Sequence, residues 1–194
     1  MSKKTRYFVA ISGAILAIGL GTGLVASYMG LPVSVFSSAA GPEELQYVPA
    51  DAAARSAIIY NFIRFSSWES DRFANISSPV VLCVQPTHAL AVRLAAFDGR
   101  QVGERTLQIR STASFARGCH AAVLDDGDAN PATLDALARA GVLTIGDARG
   151  FISHGAIGMI TVGRQIRFEI NNRVARDAGV GLSSRLLRLA VVVR

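Results

Sequence analysis

The sequence is poor in the residue types on which many functional classes depend. Its 194 residues include two cysteines and three histidines, and charged residues make up 18% of the chain. Two cysteines are too few for a disulfide-rich miniprotein or a protein with several zinc sites. Low charge and a mean hydropathy of +0.35 exclude a disordered chain, because such chains lack the apolar residues that form a core. The length fits one folded domain.

Charge is absent from residues 8–25, which are apolar and follow the cations Lys3, Lys4 and Arg6. Small residues occupy positions 37–40. A basic start, an apolar centre and small residues three apart predict a secretory signal peptide over residues 1–39. An uncleaved membrane anchor is the alternative, since a stretch of this length is close to the shortest that spans a bilayer. Either interpretation predicts export of the remainder, in which residues 40–49 form a linker.

The net charge of +6 overstates how basic the exported part is. Removing residues 1–39 takes away three cations and no acid, and the remaining cations are all arginines, concentrated in residues 139–194. This distribution predicts a basic surface that meets an anionic protein or membrane surface. No aromatic-rich binding motif accompanies the charge, so we do not expect nucleic acid as a partner.

Apolar periodicity predicts an α/β domain over residues 50–194. Helices are indicated where apolar residues recur every three or four positions, and strands where they run together or alternate. The predicted helices cover 54–65, 87–97, 131–140, a helix that Asn171 or Asn172 caps, and 185–190, which Ser183 or Ser184 caps. For the first helix, Asp51 is the predicted N-cap, and Ala54, Ile58, Phe62 and Phe65 share one face. The predicted strands cover 79–84, 106–110, 119–124, 142–145, 156–162 and 165–170, and the last two form an antiparallel hairpin through Gly163 and Arg164. This order predicts a single-domain α/β sandwich with a mixed sheet flanked by helices. Consecutive strands interrupt the alternation, which argues against a regular doubly wound fold.

Cys83 and Cys119 fall on two predicted buried strands. In an exported protein this placement favours a disulfide, and a pair of reduced core thiols is the alternative. A redox catalyst is not expected, because the two residues do not form a Cys-x-x-Cys motif.

The three histidines do not form a metal-binding or catalytic pattern. His88, His120 and His154 have no second ligand at helical spacing, and Ser153 beside His154 lacks the Gly-x-Ser-x-Gly turn that exposes a nucleophile. We therefore predict no catalytic residues, no metal and no cofactor.

The acidic turn at Asp125, Asp126 and Asp128 also lacks a ligand pattern, because the calcium loop's twelve-residue spacing and closing Glu are missing. We interpret it as a solvated turn before the next helix. Together these features predict a binding or interaction domain.

Two blocks of sequence carry a family resemblance. The first is AIIYNFIRF at 57–65 followed by Trp68, similar to an A-x-I-Y-N-F-x-K-F-x-x-W pattern. The second begins at Gly158, continues as RFEIN at 167–171 and ends as LSSRLLRLA at 182–190. These blocks resemble the opening and closing patterns of the YfiR family of periplasmic regulators, over about residues 50–192.

The resemblance implies a periplasmic α/β domain, commonly dimeric, that is not an enzyme. It also implies inhibition of a membrane diguanylate cyclase through its periplasmic sensor domain, which lowers cyclic di-GMP synthesis and restrains biofilm formation. An outer-membrane lipoprotein that sequesters the repressor is a further implied partner. The family's second cysteine pair is missing from residues 147–159, so any redox control rests on Cys83 and Cys119.

Arg167 and Glu169 are the polar residues that we nominate for partner binding. They flank Phe168 on a predicted strand and therefore share the opposite face; a surface salt bridge between them is the alternative. Two other functions remain open: a periplasmic sensor that holds an anionic small molecule near the arginine-rich C-terminal third, and an enzyme that uses His154 or Glu169.

Overall fold

The computed structural model describes residues 51–115 and 117–194. The predicted signal peptide or anchor at 1–39 and the linker at 40–49 lie outside the described residues. Within the described ranges, no helix is both long enough and apolar enough to cross a membrane.

Helices and strands alternate through most of the described chain. The helices are α1 Ala52–Arg64, α2 Ala91–Ala95, α3 Pro131–Arg139, α4 Asn172–Asp177 and α5 Ser184–Leu187. The strands are β1 Ser66–Trp68, β2 Val80–Val84, β3 Gln101–Val102, β4 Arg105–Ser111, β5 Ala121–Leu124, β6 Leu143–Gly146, β7 Ile157–Val162, β8 Gln165–Ile170, β9 Val180–Leu182 and β10 Val192–Val193. Single turns of 3₁₀-helix cover Ser70–Arg72 and Phe151–Ser153.

Eight strands form one mixed sheet in the order β10-β8-β7-β6-β5-β2-β4-β3, which confirms the predicted α/β architecture. The pairs β3–β4 and β7–β8 are antiparallel, and the other pairs in this sheet are parallel. A separate antiparallel ribbon joins β1 to β9.

As predicted, the sheet is not regularly doubly wound, but its centre keeps a doubly wound strand order that the sequence did not indicate. The five central parallel strands, taken in chain order, have the spatial order 2-1-3-4-5 of a doubly wound sheet. The alternation is hidden in the sequence because two crossovers contain no α-helix among their described residues. Residues 112–120 carry the chain from β4 to β5, and the 3₁₀ turn Phe151–Ser153 lies between β6 and β7.

Apolar side chains of the central strands alternate between two buried clusters, one on each face of the sheet. In β2, Leu82 belongs to the cluster that contains Phe62 of α1, and Cys83 belongs to the cluster that contains Leu134 of α3. All five β2 residues are buried, which explains why this strand is continuously apolar.

Helix α1 forms over the predicted segment, but its predicted face is only partly correct, because Ala54 is exposed and Ile58 is half-buried. The helix instead buries Ile59, Phe62 and Ile63. Each such side chain contributes about 1.5–3 kcal/mol on burial. Asp51 stands at the N-cap position, but its side chain makes no cap hydrogen bond; Oδ2 instead accepts a bond of 2.7 Å from Nε of Arg55.

Two predicted helices are shorter in the structure. The 87–97 segment is helical only over α2, because the His88 ring accepts the Leu90 N–H at 3.0 Å and turns precede that point. The 185–190 segment is helical only through Leu187, after which the Val191 N–H bonds to the Phe168 carbonyl and the chain enters β10.

The predicted hairpin and helix caps of the last third are confirmed. Strands β7 and β8 are joined through Gly163, whose φ of +61° suits glycine. Asn171 Oδ1 accepts the Val174 N–H at 3.1 Å and caps α4, and Ser183 Oγ accepts the Leu186 N–H at 3.2 Å and caps α5.

Candidate functional site

A disulfide joins Cys83 of β2 to Cys119, which lies two residues before β5 and not, as predicted, on the strand. The two Cα atoms are 5.8 Å apart, and the residues are 0% and 3% exposed. Their cluster includes Phe115 and Leu124. The bond therefore links the crossover between β4 and β5 to the central strand β2. Both cysteines are buried, so the bond is shielded from solvent.

Arg167 and Glu169 lie on β8 and share a face, as the alternation predicts. Phe168 between them faces α1, with its ring 4.9 Å from that of Phe62. Arg167 is exposed and Glu169 is half-buried. Arg167 Nη2 donates to Gln165 Oε1 at 2.6 Å, and no ion pair joins Arg167 to Glu169 within the described residues. Their alternative role as a mutual salt bridge is therefore not realised.

A groove lies beside Arg167, between α1 and the β7–β8 hairpin, with a volume of about 510 Å³. Its apolar lining comes from Ala54 and Ile58 of α1 and Ile166 of β8. Arg164 of the hairpin turn supplies positive charge at its rim, and Arg167 borders it from β8, whose alternation directs that side chain to the face opposite Ile166. Sequence reasoning missed this groove, because it depends on how closely the hairpin packs against the helix.

His120 is buried and structural. Its Nδ1 accepts the Val81 N–H at 3.0 Å, and its Nε2 lies 3.2 Å from the Arg72 carbonyl, to which it donates. The Phe73 ring stacks on the imidazole at 4.6 Å. Burial lowers the pKa of His120; the carbonyl of Arg72 opposes this shift and nearby arginines add to it.

His88 follows β2 and is also buried. Its Nδ1 accepts the Leu90 N–H, and its Nε2 lies 3.2 Å from Asp125 Oδ1. Burial lowers the pKa of His88, although the charges of Asp125 and Asp147 act in the opposite direction. Both histidines are therefore neutral, with the proton on Nε2.

Polar residues that follow the parallel strands meet at one edge of the sheet. Gln85 after β2 donates to Asp128, and Asp125 after β5 pairs with His88. These contacts straddle β2 and β5, where the winding direction changes and where open α/β sheets commonly bind ligands. The acidic turn is thus bonded to residues that follow β2.

Arg55 organises the same edge next to α1. Its guanidinium donates to Asp51, to Asp147 at 3.3 Å and to Thr161 at 3.0 Å. A polar residue after each strand was the signal available in the sequence, but only the strand order shows that these residues meet.

His154 lies in a cleft of about 350 Å³ between α3 and α4. Its Nδ1 is 3.1 Å from Asp135 Oδ1, and Arg139 and Arg173 line the same cleft. Ser153 also lines it, yet no hydrogen bond connects its hydroxyl to His154 within the described residues. The histidine is oriented by a carboxylate but has no nucleophile bonded to it.

Comparison with known proteins identifies the family. The YfiR/HmsC-like family matches residues 52–191, and the chain belongs to it. The family consists of periplasmic regulators of diguanylate cyclase signalling.

The structure is also similar to that of a conserved domain protein from Vibrio cholerae, with a TM-score of 0.46 and 11% sequence identity. That match covers 74% of this chain and 60% of the Vibrio chain. No protein of curated function matches the sequence.

Proposed function

We propose that this member of the YfiR/HmsC-like family binds and inhibits the periplasmic sensor domain of a membrane diguanylate cyclase. Inhibition lowers cyclic di-GMP synthesis and so restrains biofilm formation. The family match over residues 52–191 carries the proposal, because it spans nearly the whole described domain. The protein acts by binding, and an outer-membrane lipoprotein that sequesters it would relieve the inhibition.

The β8 surface supports this proposal. Arg167 is exposed and has no acidic partner within the described residues. Its backbone is held by the β7–β8 ladder, where it pairs with Ile160. A guanidinium in this position can offer a partner carboxylate two parallel hydrogen bonds. Glu169 is available on the same face.

A homodimer is part of the proposal. Strand β10 lies at the edge of the sheet, and Val191, Val192 and Val193 are 49%, 37% and 47% exposed. An exposed apolar edge strand favours pairing with another strand. Sedimentation velocity of the wild type and a Val192→Lys variant tests homodimer formation separately from cyclase inhibition.

A sensor for a small anionic molecule is the second candidate function. The cleft between α3 and α4 is where such a molecule would bind, because Arg139 lines it beside His154. Arg173 also lines it, 4.0 Å from Asp177. A ligand for this cleft would raise the unfolding temperature of the protein. A flat response across nucleotides, amino acids and peptides would remove this candidate.

Cellular cyclic di-GMP tests the main proposal. A strain that lacks the protein should contain more cyclic di-GMP than the wild type, and expression of the wild-type chain should reverse the increase. At equal protein level, expression of the Arg167→Glu variant should reverse the increase in cyclic di-GMP less completely. Unchanged cyclic di-GMP across several growth conditions would contradict the inhibitory role.

A further inference from the structure

The groove between α1 and the β7–β8 hairpin combines an apolar floor with a cationic rim. Ile58 and Ile166 are half-buried and Ala54 is exposed, so apolar surface remains in contact with water. A volume of about 510 Å³ lies within the usual range of binding pockets, about 300–1,000 Å³. The groove fits a few side chains of a partner segment.

The charge of this groove is not neutralised by the rest of the described domain. Arg164 and Arg167 have no ion-pair partner within the described residues, and Asp51, the acidic residue of the lining, is bonded to Arg55. Two unpaired arginines beside apolar surface are complementary to carboxylates flanking an apolar side chain.

We infer that the groove receives a segment of the partner's periplasmic domain in which a large apolar side chain is flanked by Asp or Glu. This inference rests on the proposed function and assigns its contact surface. The apolar side chain packs against Ile58 and Ile166, and one carboxylate pairs with Arg164. The other reaches Arg167 across the edge of β8, where β10 pairs only with Glu169 and Ile170. The partner thereby covers both a helix and a hairpin, which fixes its orientation.

The groove walls are rigid enough to select such a segment. Six residue pairs hold β8 in register with β7, from Ile157↔Ile170 to Val162↔Gln165. Arg55 joins the other wall to β7 by donating to Thr161. Because both walls are fixed before binding, little conformational freedom is lost when the partner binds.

The test measures binding of the full chain to the purified periplasmic domain of each diguanylate cyclase of the source genome. The variant is Arg164→Glu with Arg167→Glu, and a second variant replaces Ile166 with Asp. The matched control is Arg149→Glu with Arg176→Glu, which changes two exposed arginines outside the groove and gives the same change in net charge. We expect at least a tenfold loss of affinity for each groove variant and less than threefold for the control.

The outcomes separate this inference from the proposed function. If the wild type binds none of the sensor domains, the proposed function fails. If the wild type binds one and the groove variants bind as tightly as the control, the groove assignment is wrong. Two further results would overturn the assignment: the double arginine variant changes only self-association, or it lowers the unfolding temperature in the absence of a partner. In either case the arginines make contacts between copies of this chain or within one copy.

Discussion

Removal of the Cys83–Cys119 disulfide should cost the domain a large part of its stability. The bond links residues 36 positions apart. Closing a loop of this length restricts the unfolded chain and stabilises the fold by about 4 kcal/mol on the chain-entropy account. Because total stabilities are typically about 5–15 kcal/mol, this loss is severe.

The suitable variant is Cys83→Ala with Cys119→Ala. Both residues lie in an apolar cluster, so serine would add the separate cost of a buried hydroxyl, about 1–3 kcal/mol. With a urea dependence of about 2 kcal/mol per molar, the unfolding midpoint should fall by about 2 M. Chemical denaturation followed by tryptophan fluorescence, using Trp68, measures this fall.

Reduced wild type provides the matched comparison. Its midpoint should also fall strongly with reductant, whereas the double alanine variant should not respond to reductant. A loss below about 1 kcal/mol in both the variant and the reduced protein would refute the argument that the loop closure stabilises the fold.

Three further predictions concern single residues. The lowered pKa of His120 means that the unfolded chain binds more protons below about pH 6.5, so stability should fall as pH decreases from 7 to 5. His120→Asn, whose side chain can still accept the Val81 N–H without titrating, should show a smaller fall in unfolding temperature; an equal fall would contradict the assignment. Asn171→Ala should cost about 2 kcal/mol in denaturant unfolding, because the side chain both caps α4 and donates to a buried carbonyl; a loss below 0.5 kcal/mol, on the scale of surface changes, would be inconsistent with this. Gly155→Ala should cost about 1–3 kcal/mol by the same measurement, because the added methyl meets the buried Phe151 ring, and a neutral result would show that the ring can move.

Local features of this fold follow closely from the sequence. The apolar spacing of α1, the continuous apolar run of β2 and the cap at Asn171 each depend on residues that are neighbours along the chain. Their physical signals are periodicity, burial on both faces and a side-chain acceptor at a helix start. The same reasoning placed Arg167 and Glu169 on one face, because strand alternation needs no tertiary information.

Features that depend on strand order could not be predicted from residues that are neighbours along the chain. The ribbon of β1 and β9 pairs Ser67 with Gly181, and such short distant segments carry no periodicity. Asp51 looked like a cap, but it bonds to Arg55, whose position is also set by Asp147 and Thr161. The groove beside Arg167 is a product of the same packing.

The disulfide also affects how the chain matures after export. The sequence contains two cysteines, so oxidation within one molecule can produce only the Cys83–Cys119 bond. Proteins with four cysteines have three possible pairings and often need an isomerase to exchange wrong ones. This chain needs an oxidant but no exchange of wrong intramolecular pairings. The same bond can form before the sheet does, and it then restricts the unfolded chain and shortens the loop that must close to bring β5 beside β2.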